Sequence, residues 1–132
     1  MTTLTQTWNG AESESTQRSR AVVAILWTLQ ILSAGMFLMA GISKLAGVTM
    51  MVQMFDVIGV GQWFRYVTGT IEVVGAVLLL IPSAASYGAS VLAVTMGGAI
   101  ITHLFIVGGS PVVPILLLAS TTAIAWMRRG DR

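Results

Sequence analysis

The sequence contains an acidic side chain in the middle of an apolar stretch, Glu72. A carboxylate in a hydrocarbon environment is stable only when it faces protein, water or an opposite charge. Three basic residues, Lys44, Arg65 and His103, are expected near the outer surface of the membrane. Thr95 supplies a hydroxyl on a helix next to that of Glu72. These five residues are therefore our candidates for a ligand-binding or proton-exchange site.

Each candidate also has a purely structural interpretation. Glu72 fits an ion pair with Lys44 or Arg65 that only holds helices together, or a neutral acid hydrogen-bonded to Thr95. Lys44 and Arg65 lie at predicted helix ends, where long basic side chains anchor helices to the membrane interface. His103 fits a packed histidine near that interface as well as it fits a ligand or a proton relay. The sequence leaves both interpretations open.

The composition excludes several kinds of site. The chain has no cysteine, which rules out disulfides, thiolate catalysis, iron–sulfur clusters and covalently attached haem. A single histidine rules out an internal bis-histidine haem, and no His/Glu spacing fits a zinc hydrolase. The methionines near residues 36–54 are soft Cu(I) ligands, but flexible methionines also fill gaps between helices. We predict no metal site and no cofactor held by such ligands.

The elements that must position these residues are membrane helices. Of the 132 residues, 55% are hydrophobic and 9% are charged, whereas soluble domains have roughly 25% charged residues. We predict an all-α integral membrane four-helix bundle over residues 21–127, with a short interfacial helix between spans one and two. The spans are expected at about 21–43, 64–81, 87–107 and 111–127. Residues 1–20 are predicted to be a disordered cytoplasmic tail and 128–132 a basic cytoplasmic tail.

The distribution of basic residues predicts the orientation of the chain. Those that flank the first and last spans are Arg18, Arg20, Arg128, Arg129 and Arg132. Only Lys44 and Arg65 lie beside the first long loop. Because cytoplasmic loops carry the excess of Lys and Arg, both termini are expected to be cytoplasmic. The net charge of +2 is small, so the basic residues do not indicate a nucleic-acid partner.

Helical periodicity predicts which face of each span points into the bundle. The second span has a small and polar face: Arg65, Thr68, Gly69, Glu72, Gly75, Ala76 and Leu79. The first span has Gln30, Ser33, Ala34, Phe37, Gly41 and Lys44, and the third has Gly88, Thr95, Ala99, Thr102 and, at the edge, His103. We expect these faces to meet in a pocket that opens outward, with Glu72 roughly 10 Å below Lys44, Arg65 and His103.

Three motifs on these faces, AGISKL, GTIEVVGAVLLL and YGASVLAVTMGGAIITHL, occur in this order. With them the chain resembles the DoxX-like family of small four-helix bacterial membrane proteins over residues 20–127. The resemblance implies a multi-pass protein of the bacterial inner membrane. Some relatives are described as the membrane subunit of a thiosulfate:quinone oxidoreductase, and others as partners of a superoxide dismutase and a thiosulfate sulfurtransferase in oxidative-stress defence.

The resemblance therefore implies a quinone-linked accessory subunit of a membrane redox or oxidative-stress complex, not an enzyme on its own. A quinone would be its cofactor, hydrogen-bonded or exchanging protons with Glu72, Lys44, Arg65 and His103. Two other classes of function stay open. One is a carrier for a small solute, including a proton-coupled one. The other is a membrane scaffold, in which small-residue faces dock partner proteins or further copies of the chain.

Overall fold

The computed structural model describes the backbone of residues 2–131 and the side chains of residues 19–130. This part of the chain is mostly helical and has no strand; it forms five α-helices, a π-helical turn and a final 3₁₀ turn. They are α1 (Thr2–Ala46), α2 (Thr49–Ile58), α3 (Gln62–Leu79), α4 (Ala85–Thr102), the π-helix (His103–Val107), α5 (Val112–Met127) and the 3₁₀ turn (Arg129–Asp131). The predicted all-α class is confirmed.

The four predicted spans correspond to α1, α3, α4 with the π-helix, and α5, and the predicted short helix corresponds to α2. The largest difference is at the start of the chain, where α1 begins at Thr2 and includes the segment that we predicted to be disordered. Extending an existing helix costs far less than nucleating a new one, so a polar segment can continue α1. The side chains of residues 1–18, 131 and 132 lie outside the described part, and the cytoplasmic location of both tails stays a prediction.

The four long helices form an antiparallel bundle. α1 packs mainly on α3, α3 also packs on α4, α4 packs on α5, and α5 returns to α1. One end of the bundle, which we call the α2 end, carries α2 and the link from the π-helix to α5. The other end, which we call the terminal end, carries the turn at residues 80–84, the first half of α1 and the last turn of α5. Both chain termini therefore leave from the same side of the bundle.

Glycines allow α3 to approach both of its neighbours closely. A Cβ added to Gly41 on α1 would lie 2.8 Å from the carbonyl oxygen of Gly69 on α3. A Cβ added to Gly88 on α4 would lie 3.0 Å from the carbonyl oxygen of Gly75, also on α3. Since real Cβ atoms do not approach backbone oxygens at the shorter of these distances, only glycine fits at the α1–α3 crossing.

The predicted inner faces of the first two spans are confirmed, and that of the third is only partly right. All the predicted residues on α3 are buried except half-buried Thr68, and those on α1 are buried apart from Lys44, at its edge. On α4 the buried residues are Ala85, Ser86, Gly88, Ala89, Leu92 and Met96. Thr95, Ala99 and Thr102 are only half-buried, so the inner face of α4 is mainly apolar, with Ser86 as its buried polar residue.

Many large apolar side chains remain exposed on the outside of the bundle, including Val94 at 78% and Phe105 at 80% of their full accessible area. Two helical segments, Ser19–Ala46 and Ala85–Val107, are long and apolar enough to cross a membrane. Exposed apolar surface of this extent is unusual for a soluble monomer. It is the surface expected where lipid, rather than water, surrounds the helices.

Candidate functional site

Glu72 and Lys44 form an ion pair at the place where α1 and α3 cross. The ammonium nitrogen of Lys44 lies 3.0 Å from Oε2 of Glu72 and donates a hydrogen bond to it. The side chain of Glu72 is 2% exposed and that of Lys44 is 12% exposed. The pair lies directly beside the glycine contact, because a Cβ on Gly69 would touch the Cβ of Lys44 at 3.0 Å. The close approach of the two backbones therefore brings the two side chains within reach of each other.

The ion pair uses only part of its hydrogen-bonding capacity. Among the described residues, Oε1 of Glu72 accepts no hydrogen bond, and the ammonium of Lys44 donates only the one to Oε2. A carboxylate oxygen has two lone pairs, and an ammonium group has further N–H groups to donate. The pair thus offers one free acceptor and free donors side by side, and its two opposite charges cancel locally.

Arg65 lies two helical turns nearer to the α2 end than Glu72, on the same face of α3. Its guanidinium is 5% exposed and donates through Nη1 to the carbonyl oxygen of Lys44. This carbonyl belongs to the last turn of α1 and also accepts from the backbone N–H of Gly47 at 3.3 Å, so Arg65 caps α1 with an additional hydrogen bond. Arg65 also lies over the ring of Tyr66, 4.4 Å from its centroid.

Two residues that the sequence did not single out connect Arg65 to α2. Nε of Arg65 donates to Oε1 of Gln62 over 2.7 Å. The amide nitrogen of Gln62 donates in turn to Oδ1 of Asp56 at 2.8 Å and to the carbonyl oxygen of Val52 at 3.0 Å. The signal in the sequence was the spacing of Gln62 three residues before Arg65, which places both on one helix face. The partner on α2 was not readable from the sequence.

The structure brings three of the five predicted site residues together and leaves two apart. Lys44, Arg65 and Glu72 form one cluster. His103 is half-buried at the start of the π-helix, and its Nδ1 lies 2.9 Å from the carbonyl oxygen of Ala99. Thr95 donates to the carbonyl oxygen of Val91, within its own helix. The predicted alternative of a Glu72–Thr95 hydrogen bond is therefore wrong, because the partner of Glu72 is Lys44.

A second polar cluster lies at the terminal end of the bundle. The amide nitrogen of buried Gln30 donates to the carbonyl oxygen of Leu79 at 2.6 Å. Its Oε1 accepts from Nε of Arg128 at 2.9 Å, and this guanidinium also lies 5.5 Å from the ring centroid of Trp27. The sequence placed Gln30 correctly on the inner face of α1. It identified Arg128 only as a marker of orientation, whereas its side chain reaches into the bundle.

Comparison with known proteins gives a family but no individual relative. No curated protein and no solved structure matches the chain significantly. The model of the DoxX-like family matches residues 28–127, which include α2–α5, most of the apolar part of α1 and every residue of the Lys44–Glu72 cluster. The predicted resemblance is confirmed. With most of its length matched, the chain belongs to the DoxX-like family.

Proposed function

We propose that this protein is a membrane-spanning accessory subunit in which the Lys44–Glu72 pair binds the head group of a quinone for a membrane redox complex. The observation that supports the proposal is the free hydrogen-bonding capacity of the pair. Glu72 is 2% and Lys44 12% exposed, and neither has a further hydrogen-bond partner among the described residues, so an external molecule that both accepts and donates hydrogen bonds can complete them.

A quinone suits this pair because its two redox forms have opposite hydrogen-bonding properties. A quinone carbonyl oxygen accepts a hydrogen bond, which the ammonium of Lys44 supplies. The hydroxyl of the reduced form donates one, which Oε1 of Glu72 accepts. When bound, the quinone would supply two-electron, two-proton redox chemistry. The chain contributes no cysteine and only one histidine, so we expect the electrons to come from a partner subunit or directly from the substrate.

The proposal includes four passes through the bacterial inner membrane with cytoplasmic termini. The antiparallel bundle places both termini at one end, which agrees with the predicted excess of basic residues there. The exposed apolar side chains and the two long apolar segments supply surface for lipid contact. In this arrangement the α2 end faces away from the cytoplasm, and Lys44 lies close to the outer membrane surface.

The test is whether decylubiquinone binds to the detergent-purified protein. Binding is measured by the quenching of tryptophan fluorescence. The Glu72→Gln variant removes the charge and weakens the acceptor, so its affinity should fall by about tenfold or more. Arg20→Gln is the control, because Arg20 is an exposed residue of α1 far from the pair. If the unmodified protein binds no quinone, or if Glu72→Gln binds equally well, the proposal is wrong.

A second candidate function is a membrane scaffold in which the Lys44–Glu72 pair only stabilises the bundle, and the position of the pair favours this structural role. Lys44 and Glu72 tie α1 to α3 directly beside the Gly41–Gly69 contact, as an ion pair that only stabilises the bundle would do. In that case Glu72→Gln lowers stability or assembly and leaves no separate defect in ligand binding. The carrier hypothesis stays a prediction, which uptake of solute or protons into proteoliposomes would test.

A further inference from the structure

We infer that Asp56 and Gln62 are positioning residues that latch α2 onto the end of α3 that carries Arg65, and so control access to the Lys44–Glu72 pair from the α2 end. Arg65 lies between α2 and the pair, since it occupies the same face of α3 as Glu72 and is two turns nearer to the α2 end. Gln62 holds Arg65 on one side and α2 on the other. The position of α2 is thereby coupled to the position of the guanidinium that lies above the pair.

The connections of α2 are suited to movement as a unit. The helix has ten residues and is joined to its neighbours through Gly47 at one end and through Gly59 and Gly61 at the other. All three glycines have positive φ angles, of 73°, 80° and 120°, which other residues rarely adopt. Such short glycine links can absorb a rotation of α2 without disturbing α1 or α3.

α2 packs on α3, on the π-helix and on α1, and its side-chain contacts with α3 are identifiable. Phe55 is its single buried residue and meets the ring of Phe64 edge to face, with 5.8 Å between centroids. The polar contacts are the two hydrogen bonds from Gln62, to Asp56 and to the carbonyl oxygen of Val52. Asp56 itself is exposed, so its replacement leaves the packing of the bundle unchanged. Loss of these hydrogen bonds should therefore allow α2 to move away from α3.

The latch rests on the proposed function for its purpose but can be tested without a ligand. The chain has no cysteine, so the substitution Thr68→Cys introduces a single reporter thiol. Thr68 is half-buried on the face of α3 between Arg65 and Glu72. The measurement is the labelling rate of this thiol by a small charged methanethiosulfonate reagent in detergent micelles. With Asp56→Ala the rate should rise about fivefold, and with Gln62→Ala about tenfold or more, since one or several hydrogen bonds are lost.

The matched control is Gln53→Ala, which replaces an exposed polar residue of the same helix and should leave the rate unchanged. Labelling in SDS gives the rate for the fully accessible thiol. The inference is wrong if Asp56→Ala and Gln62→Ala label like Gln53→Ala, or if the parent reporter already labels at the rate in SDS. If Asp56→Ala and Gln62→Ala label faster but no variant binds decylubiquinone, the latch is supported and the proposed quinone function is wrong. If decylubiquinone binds but labelling is unchanged, the quinone function is supported and the latch is wrong.

Discussion

The coupling between Lys44 and Glu72 is open to a quantitative test by a double-mutant cycle. Lys44→Met leaves the Glu72 carboxylate, which is 2% exposed, without its partner, and breaking a buried pair in this way costs about 3–5 kcal/mol. Glu72→Gln should cost less, about 1–3 kcal/mol, because Lys44 is at the end of α1 and can extend its long side chain towards the surface.

The decisive variant is the double one, Lys44→Met with Glu72→Gln, in which no buried charge remains at the crossing. We expect it to be more stable than Lys44→Met alone, with a coupling energy of at least about 1–3 kcal/mol. The assay is unfolding in maltoside micelles titrated with SDS, followed by circular dichroism. Arg20→Met combined with Glu72→Gln is the control and should be additive, since Arg20 is exposed and far from the pair. If the effects of Lys44→Met and Glu72→Gln simply add, the two side chains are not coupled and the ion pair does not stabilise the bundle.

Three further predictions concern residues outside the pair. Gly41→Ala should destabilise the protein by about 1–3 kcal/mol in the SDS titration, because the new methyl group would meet a backbone oxygen at 2.8 Å. The control is Gly35→Ala on the same helix, whose methyl group meets nothing within 4 Å and should be neutral or stabilising. Gln30→Leu should lower stability by about 1–3 kcal/mol in the same assay, because a buried carbonyl and a guanidinium lose a partner, and Thr28→Ala, at an exposed residue, should not. His103→Gln should change decylubiquinone affinity by less than about twofold, since the ring of His103 bonds the carbonyl oxygen of Ala99, one turn earlier. A larger change would show that His103 contributes to the site.

The inner faces of α1 and α3 were predictable because each contains polar residues that cannot face lipid. Gln30 and Lys44 on one helix, and Arg65 and Glu72 on the other, fix the direction in which each helix must point. α4 has no such residue in its middle, and small and apolar side chains occur on all sides of it, so periodicity gave no direction. The face assigned from Thr95 failed because a threonine hydroxyl satisfies itself on its own helix.

The candidate site was predictable only as far as helix geometry reaches. The closeness of Lys44, Arg65 and Glu72 follows from two antiparallel helices joined through a short connection. Lys44 rather than Arg65 is the partner of Glu72, since Arg65 bonds the carbonyl oxygen of Lys44 and the glycine contact brings Lys44 beside α3. The hydrogen bonds from Gln62 to α2 depend on how α2 folds back onto α3, which local sequence does not encode.

The dependence of α3 on α1 has a consequence for biosynthesis. α3 contains both Arg65 and Glu72, and among the described helices it is not one of those apolar enough to qualify as a span by length and hydropathy alone. In a bilayer, the ammonium that pairs with Glu72 and the terminal carbonyl that accepts from Arg65 both come from α1, which leaves the ribosome first. Synthesis from the amino end therefore places α1, which supplies these partners, in the membrane before α3, which needs them. A circular permutant that translates α3 ahead of α1 should leave α3 outside the lipid until α1 follows, even though the finished chain would have the same residues and the same contacts.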